Sequence, residues 1–207
     1  MRILVFGDSI VRGSYDEEYG GWTCRLSAAF SKKTIDEKKY YKLYGFGIGG
    51  ETSGELLQRF QKELVEKQRL NEESVLLFNT GLNDTKNLCG DSKNLIPLEE
   101  YEQNVHTILS GAIKAVKQVY FVGLTRVAEF NVGISYEGKK YEFYNKEIEK
   151  YDRAVERVCG ELNVTYISIG GFDTSKMIMW DGIHPNAEGH RLIFERVKET
   201  LKKEGIL

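Results

Sequence analysis

The sequence predicts an α/β protein, a doubly wound three-layer sandwich of five parallel strands and four or five helices. Short apolar runs rich in β-branched and aromatic residues alternate along the chain with longer stretches of helical period. Those runs lack strict apolar–polar alternation, as expected of strands covered on both faces. No repeat of fixed period and no Ser/Gly-rich linker divides the 207 residues, of which 41% are apolar. The chain therefore reads as one domain over residues 1–207, with a core large enough to need no disulfide or metal.

The strands expected in order are residues 2–7, Tyr41 to Phe46, Val75 to Asn79, Gln118 to Gly123 and Val164 to Ile169. Between them, Leu56, Leu57, Phe60, Leu64 and Val65 fall on one helical face, and Tyr101, Val105, Ile108, Leu109, Ala112 and Val116 on another. Pro97 marks the approach to the second of these helices. Amphipathic stretches near 142–160 (Ile148, Tyr151, Val155, Val158) and 187–204 (Leu192, Ile193, Val197, Leu201) complete the helical set. The irregular segment 126–141, with Phe130, Tyr136 and Tyr141, is expected to form a lid or pocket wall.

Composition excludes several function classes. Twenty-nine basic residues against thirty-one acidic ones leave a net charge of −2, which draws the protein to neither nucleic acid nor an anionic membrane. No apolar segment is long enough for a signal peptide, and none approaches the roughly eighteen residues that span a bilayer. A cytoplasmic protein without stable membrane association is expected, acting on a small molecule, and nothing in the sequence indicates a homo-oligomer. Cys24, Cys89 and Cys159 are widely separated, which argues against a disulfide framework or a CxxC pair and for reduced thiols.

Ligands bind open parallel sheets beyond the carboxyl ends of the strands, where loops converge. Four polar or glycine-rich segments follow strands here: Gly7-Asp8-Ser9, Gly47 to Ser53, Gly81-Leu82-Asn83-Asp84, and Asp181 to Ala187. Ser9 offers a hydroxyl nucleophile, and His184 an imidazole near its operating range to take the hydroxyl proton. Asp181, three residues earlier with Gly182 allowing a tight turn, can orient that imidazole. Taken alone, Gly7-Asp8-Ser9 reads more readily as a turn with Asp or Ser capping a helix, and the other segments reverse that preference.

These four segments, in order along the chain, resemble the sequence blocks of the SGNH hydrolases, also called GDSL esterases and lipases. The resemblance implies that Ser9 is the nucleophile and Asp181 and His184 its partners. It also implies that the backbone N–H of Gly50 and the Asn83 side-chain amide join Ser9 in an oxyanion hole. It implies a flavodoxin-like sheet order of 2-1-3-4-5 and a reaction without cofactor. Trp180 either packs under the Asp181 loop or borders the acyl pocket, with Phe130 and Tyr136 as further substrate contacts.

Competing motifs are weaker. Gly45 to Gly50 matches GxGxxG, with Glu72 or Glu73 about twenty residues on, but a dinucleotide fingerprint follows the first strand of its unit and its acid ends the second. No HExxH or carboxylate cluster offers a metal site, and GxSxG of the α/β-hydrolases is absent. Asp8 and Asp84 are expected to hold loop backbone, His106 and His190 to be structural or solvent-facing, and Cys89 to be a loop thiol. The expected function is a cofactor-independent serine esterase of lipase/acylhydrolase type, cleaving carboxylic esters of small to medium acyl or alcohol groups through an acyl-enzyme. A carbohydrate acetylesterase, an acyl-thioesterase, or a non-catalytic binding module of the same fold are the alternatives.

Overall fold

In chain order the elements are β1 (Arg2–Gly7), α1 (Ser9–Arg12), α2 (Trp22–Glu37), β2 (Lys42–Gly47), α3 (Ser53–Lys67), β3 (Ser74–Asn79), a 3-10 turn (Asn83–Thr85), β4 (Asn87–Leu88) and α4 (Leu98–Ala115). They continue with β5 (Gln118–Val122), β6 (Ile134–Tyr136), β7 (Lys139–Glu142), α5 (Asn145–Leu162), β8 (Thr165–Ile167), α6 (Thr174–Met177) and α7 (Ala187–Lys203). The computed structural model describes residues 1–69, 72–88, 93–129, 134–136 and 139–207; of 134–136 and 139 it describes the backbone alone.

The central sheet runs β2-β1-β3-β5-β8, with every pairing parallel. Counted among these five strands alone, that is the order 2-1-3-4-5, and they are the five strands expected from the sequence. Strands β1 and β3 are buried almost throughout, because α2 and α7 pack together as one helical row and α3, α4 and α5 as another. Strand β2, at the sheet edge, keeps exposed and half-buried positions, so full coverage on both faces does not extend to it.

Aromatic rings knit the sheet to α3. Phe6 stacks on Phe46 and Phe78 at 4.8 and 5.5 Å between ring centres, and Phe60 meets Phe6 and Phe78 edge-on. On α3 the buried stripe is Leu56, Phe60 and Leu64, whereas Val65, expected on the same face, is 73% exposed. One position past Leu64 turns a side chain about 100° around the helix, out of the stripe. Helix α2 has no counterpart among the helical faces read from the sequence. Its buried residues include Trp22, Leu26 and Phe30 at every fourth position, diluted by Ser, Thr and Lys.

The segment 126–141, expected to be irregular, contains β6 and most of β7. These two strands form an antiparallel pair, and β7 also pairs with β4, giving a second sheet of order β4-β7-β6. Strands of two to four residues are too short to set up a readable alternation. Phe130 and Cys89 lie outside the described residues, as does the side chain of Tyr136. No described helix is long and apolar enough to cross a membrane.

Phe78 is fully buried in the central strand β3. Phe78→Ala is expected to lower the unfolding free energy by about 3–5 kcal/mol, measured by urea denaturation.

Candidate active site

The site is built where β1, β2 and β3 end level with one another, Gly7 opposite Gly47 on one side and Asn79 on the other. Only glycine fits at position 7, because a Cβ there would lie 2.0 Å from the Asn79 carbonyl oxygen. The chain then turns at once into α1. Asp8 caps that helix by accepting the Ile10 N–H at 2.8 Å, and Ser9 begins it. The Ser9 backbone N–H is the first of the helix and so has no partner within it.

The Ser9 Oγ lies 2.9 Å from His184 Nε2, and His184 Nδ1 lies 2.6 Å from Asp181 Oδ2. The loop bearing both partners is tied by an isolated bridge between Ile178 and Pro185 and by bonds from Met179 N–H to the His184 carbonyl and from Gly182 N–H to the Met179 carbonyl. Within it, Asp181 Oδ1 accepts the backbone N–H groups of Ile183 and His184. Burial pushes the Asp181 carboxyl up, but the bonds from the His184 ring and those two N–H groups outweigh it and hold the group below the ordinary range. An ionised Asp181 can only accept, which places a hydrogen on His184 Nδ1 and leaves Nε2 free to accept from the Ser9 hydroxyl.

Gly50 and Asn83 border the same space. Gly50 has φ +81°, yet a Cβ there would meet nothing within 4 Å. Backbone conformation, rather than crowding, therefore calls for glycine at this position. The Asn83 amide, on the 3-10 turn, donates to the Glu51 carbonyl at 3.1 Å and to Asp8 Oδ2 at 3.3 Å. It thus bridges the loops that carry Gly50 and Ser9.

Several contributors escaped the sequence analysis. Arg59 on α3 donates to the Phe46 carbonyl and pairs with the Glu51 carboxylate, pinning the Gly50 loop from beneath. Thr52 and Glu55 form a capping box that starts α3, a T-x-x-E signature legible in the sequence. Tyr15 packs edge-on against the His184 ring, 5.1 Å between centres, and nothing in the sequence signals that approach.

Asp8 and Asp84 do hold loop backbone: Asp84 accepts both the N–H and the hydroxyl of Ser53. Burial pushes Asp8 up to about 7 against the Ile10 N–H bond and the nearby His184, with Asp84 and Glu51 adding to the rise. Burial likewise raises Asp84 to about 6, opposed by its bonds from Ser53. His190 is fully buried and His106 is exposed.

Ser9, His184, Gly50 and Asn83 line one cleft of about 1210 Å³, with an apolar wall that includes Ile48, Leu82, Ile96 and Phe143. Trp180 does not line this cleft. It occupies the turn closed by the Gly182 N–H bond to Met179, where its side chain is 74% exposed, so it neither packs under the Asp181 loop nor stands on the wall of this cleft. Within the Gly45 to Gly50 segment, a Cβ on Gly47 would lie 2.2 Å from the Arg12 backbone nitrogen, so packing against α1 requires glycine there. Among the described residues, no group of three or more His, Cys, Asp or Glu is placed to hold a metal.

The fold retains the Asp8 proton up to about pH 7, whereas an unfolded chain releases it near about pH 3.9. The contribution of this group to stability is therefore full at acidic pH and is lost as pH rises through about 7. Asp8→Asn cannot titrate, so its stability relative to the parent should climb between about pH 4 and 7 and then level off. Urea unfolding of both proteins across that range measures this.

Residues 3–197 match the sequence profile of the family described as GDSL-like Lipase/Acylhydrolase. The chain is similar to a GDSL esterase/lipase of Arabidopsis thaliana, 25% identical over 228 positions that cover 99% of this chain and 87% of the relative. Among solved structures, TesA shares the fold with a TM-score of 0.72 and 22% identity, covering 98% of this chain and 99% of that one. The acetylxylan esterase Axe2 of Geobacillus stearothermophilus gives a TM-score of 0.70 at 17% identity, over 96% and 92% of the two chains. All four rim segments fall inside the span that the family profile matches, and the chain belongs to the GDSL-like lipase/acylhydrolase family.

Proposed function

We propose that this protein is a cofactor-independent serine esterase, with Ser9 as nucleophile, His184 as general base and acid, and Asp181 as the group that orients the imidazole. The observation that carries this reading is the unbroken chain of contacts from Ser9 Oγ through the His184 ring to Asp181. In acylation, Ser9 Oγ bonds to the ester carbonyl carbon while its proton passes to His184 Nε2. The bond to the alcohol oxygen then breaks, and that oxygen takes the proton from His184. Water, deprotonated by the same imidazole, cleaves the acyl-enzyme and restores Ser9.

The negative charge on the carbonyl oxygen develops beside the Ser9 and Gly50 N–H groups and the Asn83 amide, where preorganised donors count most. The Asn83 amide is held in place by its bond to the Glu51 carbonyl, and its second N–H, which rests 3.3 Å from Asp8 Oδ2, turns from that carboxyl to the oxyanion. The apolar cleft wall supports small to medium apolar acyl or alcohol groups as the substrate class. A binding module without catalysis would have no use for an ionised carboxylate aligned behind the imidazole. The acetylxylan esterase Axe2 shares only the fold, which leaves acetylated sugars and acyl thioesters as alternatives on the same machinery.

Ser9→Ala should lower kcat/KM toward short p-nitrophenyl esters by about 10⁴-fold or more, and activity kept within about tenfold of the parent would overturn the assignment. Asn83→Ala should cost about 10²- to 10³-fold, mainly in kcat, because its donor acts on charge that forms in the transition state. Steady-state kinetics on purified variants measures both.

A further inference from the structure

Tyr15 stands in the left-handed region at φ +67°, a conformation that is a genuine outlier for a bulky side chain. Such a residue persists only where its surroundings force it, and here they do so from both sides. Before it, the Ser14 N–H donates to the Ser9 carbonyl, and the Ser14 carbonyl accepts from Nε2 of the buried His190 on α7 at 3.1 Å. After it, the Asp16 carboxylate accepts the backbone N–H groups of Glu18, Tyr19 and Gly21. It also pairs at 3.0 Å with Arg25 on α2, and both side chains are buried. Arg25 reaches on to the Ala187 carbonyl at the start of α7. These buried groups converge on the backbone that flanks Tyr15.

A turn alone would be served by glycine or asparagine, which take this conformation at little cost. Nor does the ring serve the core, for it is 48% exposed and lines the cleft that holds Ser9 and His184. It packs edge-on against the imidazole. In an ester cleavage, the alcohol departs within hydrogen-bond reach of the His184 nitrogen that protonates it. An aromatic surface beside that imidazole, open to the cleft, is therefore a surface for the alcohol part of the substrate.

We propose that Tyr15 is the specificity-determining residue for the alcohol side of the ester, its ring receiving ring-bearing alcohols, whether aromatic or sugar-like, as they leave. The proposal rests on the esterase reading above. It explains why the fold keeps tyrosine at a position whose backbone disfavours it, and it gives the His190 and Asp16–Arg25 contacts a function in presenting the ring.

The test compares parent and variant in kcat/KM for three acetates, benzyl acetate, a methyl glycoside monoacetate and butyl acetate, so that the intrinsic reactivity of each ester cancels. In Tyr15→Ala, the preference for ring-bearing over butyl acetate should fall about tenfold, and Tyr15→Phe should keep it within about twofold. Loss for the benzyl ester alone assigns the site to aromatic alcohols, and loss for the glycoside alone assigns it to sugars. Tyr15→Gly, which removes the ring and frees the left-handed backbone, supplies a folded ring-less enzyme should the alanine variant fail to fold. If the ring-less variants slow all three acetates by the same factor, Tyr15 acts only through His184 or the loop, and this inference alone is overturned. A parent inert toward every acetate would overturn the esterase reading and this inference with it.

Discussion

The arrangement depends on one constraint, the in-register parallel pairing of β1 between β2 and β3. Because Gly7, Gly47 and Asn79 end at one level, the loops that follow them leave the sheet on the same rim, where Ser9, Gly50 and Asn83 border a common cleft. A one-residue slip would turn side chains to the opposite face and carry the loops out of alignment. The backbone approaches closely enough at this level that glycine is required at 7 and 47. Asn79 extends the tie to the next strand by donating to the carbonyls of Val122 and Gly123.

His184 and Asp181 reach the same rim from the far end of the chain, by a different device. Their loop is closed on itself by backbone bonds and anchored at its exit by Asn186. That side chain caps α7 through the Glu188 and Gly189 N–H groups and also donates to the Lys176 carbonyl. Ala128, just beyond β5, donates to the Gly182 carbonyl and joins this loop to the start of the segment containing β6 and β7. Positions so connected act together, and the effects of changing them are not expected to add.

The rim carries a concentration of buried acid. Asp8, Asp84 and Glu51 are all raised by burial, and Glu51 is paired with a cation, Arg59. Burying a carboxyl is costly unless its oxygens find donors. Asp8 and Asp84 find theirs in Ile10, Asn83 and Ser53, the groups that shape the loops of the cleft. Stability is thus spent locally on holding donors in place, which is where an ester-cleaving site needs rigidity.

Much of this was legible in the sequence. The five central strands ended within two residues of expectation, because buried parallel strands leave continuous apolar runs that need no tertiary context to be seen. The order of the sheet came from the resemblance carried by the four rim segments, and the contacts among Ser9, His184 and Asp181 followed from their residue types. Helix α2 and the sheet containing β6 and β7 were illegible, the one for its diluted stripe and the other for its short strands. Trp180 shows the limit of adjacency: next to Asp181 in sequence, it is largely exposed and does not line the cleft. Only the tertiary structure decided what depends on distant segments meeting. It set Arg59 beneath the Gly50 loop, the acids against one another, and Tyr15 on the imidazole in a backbone conformation its own side chain disfavours. Local chemistry is written residue by residue, whereas a strained conformation exists only because α2 and α7 close on it from opposite ends of the chain.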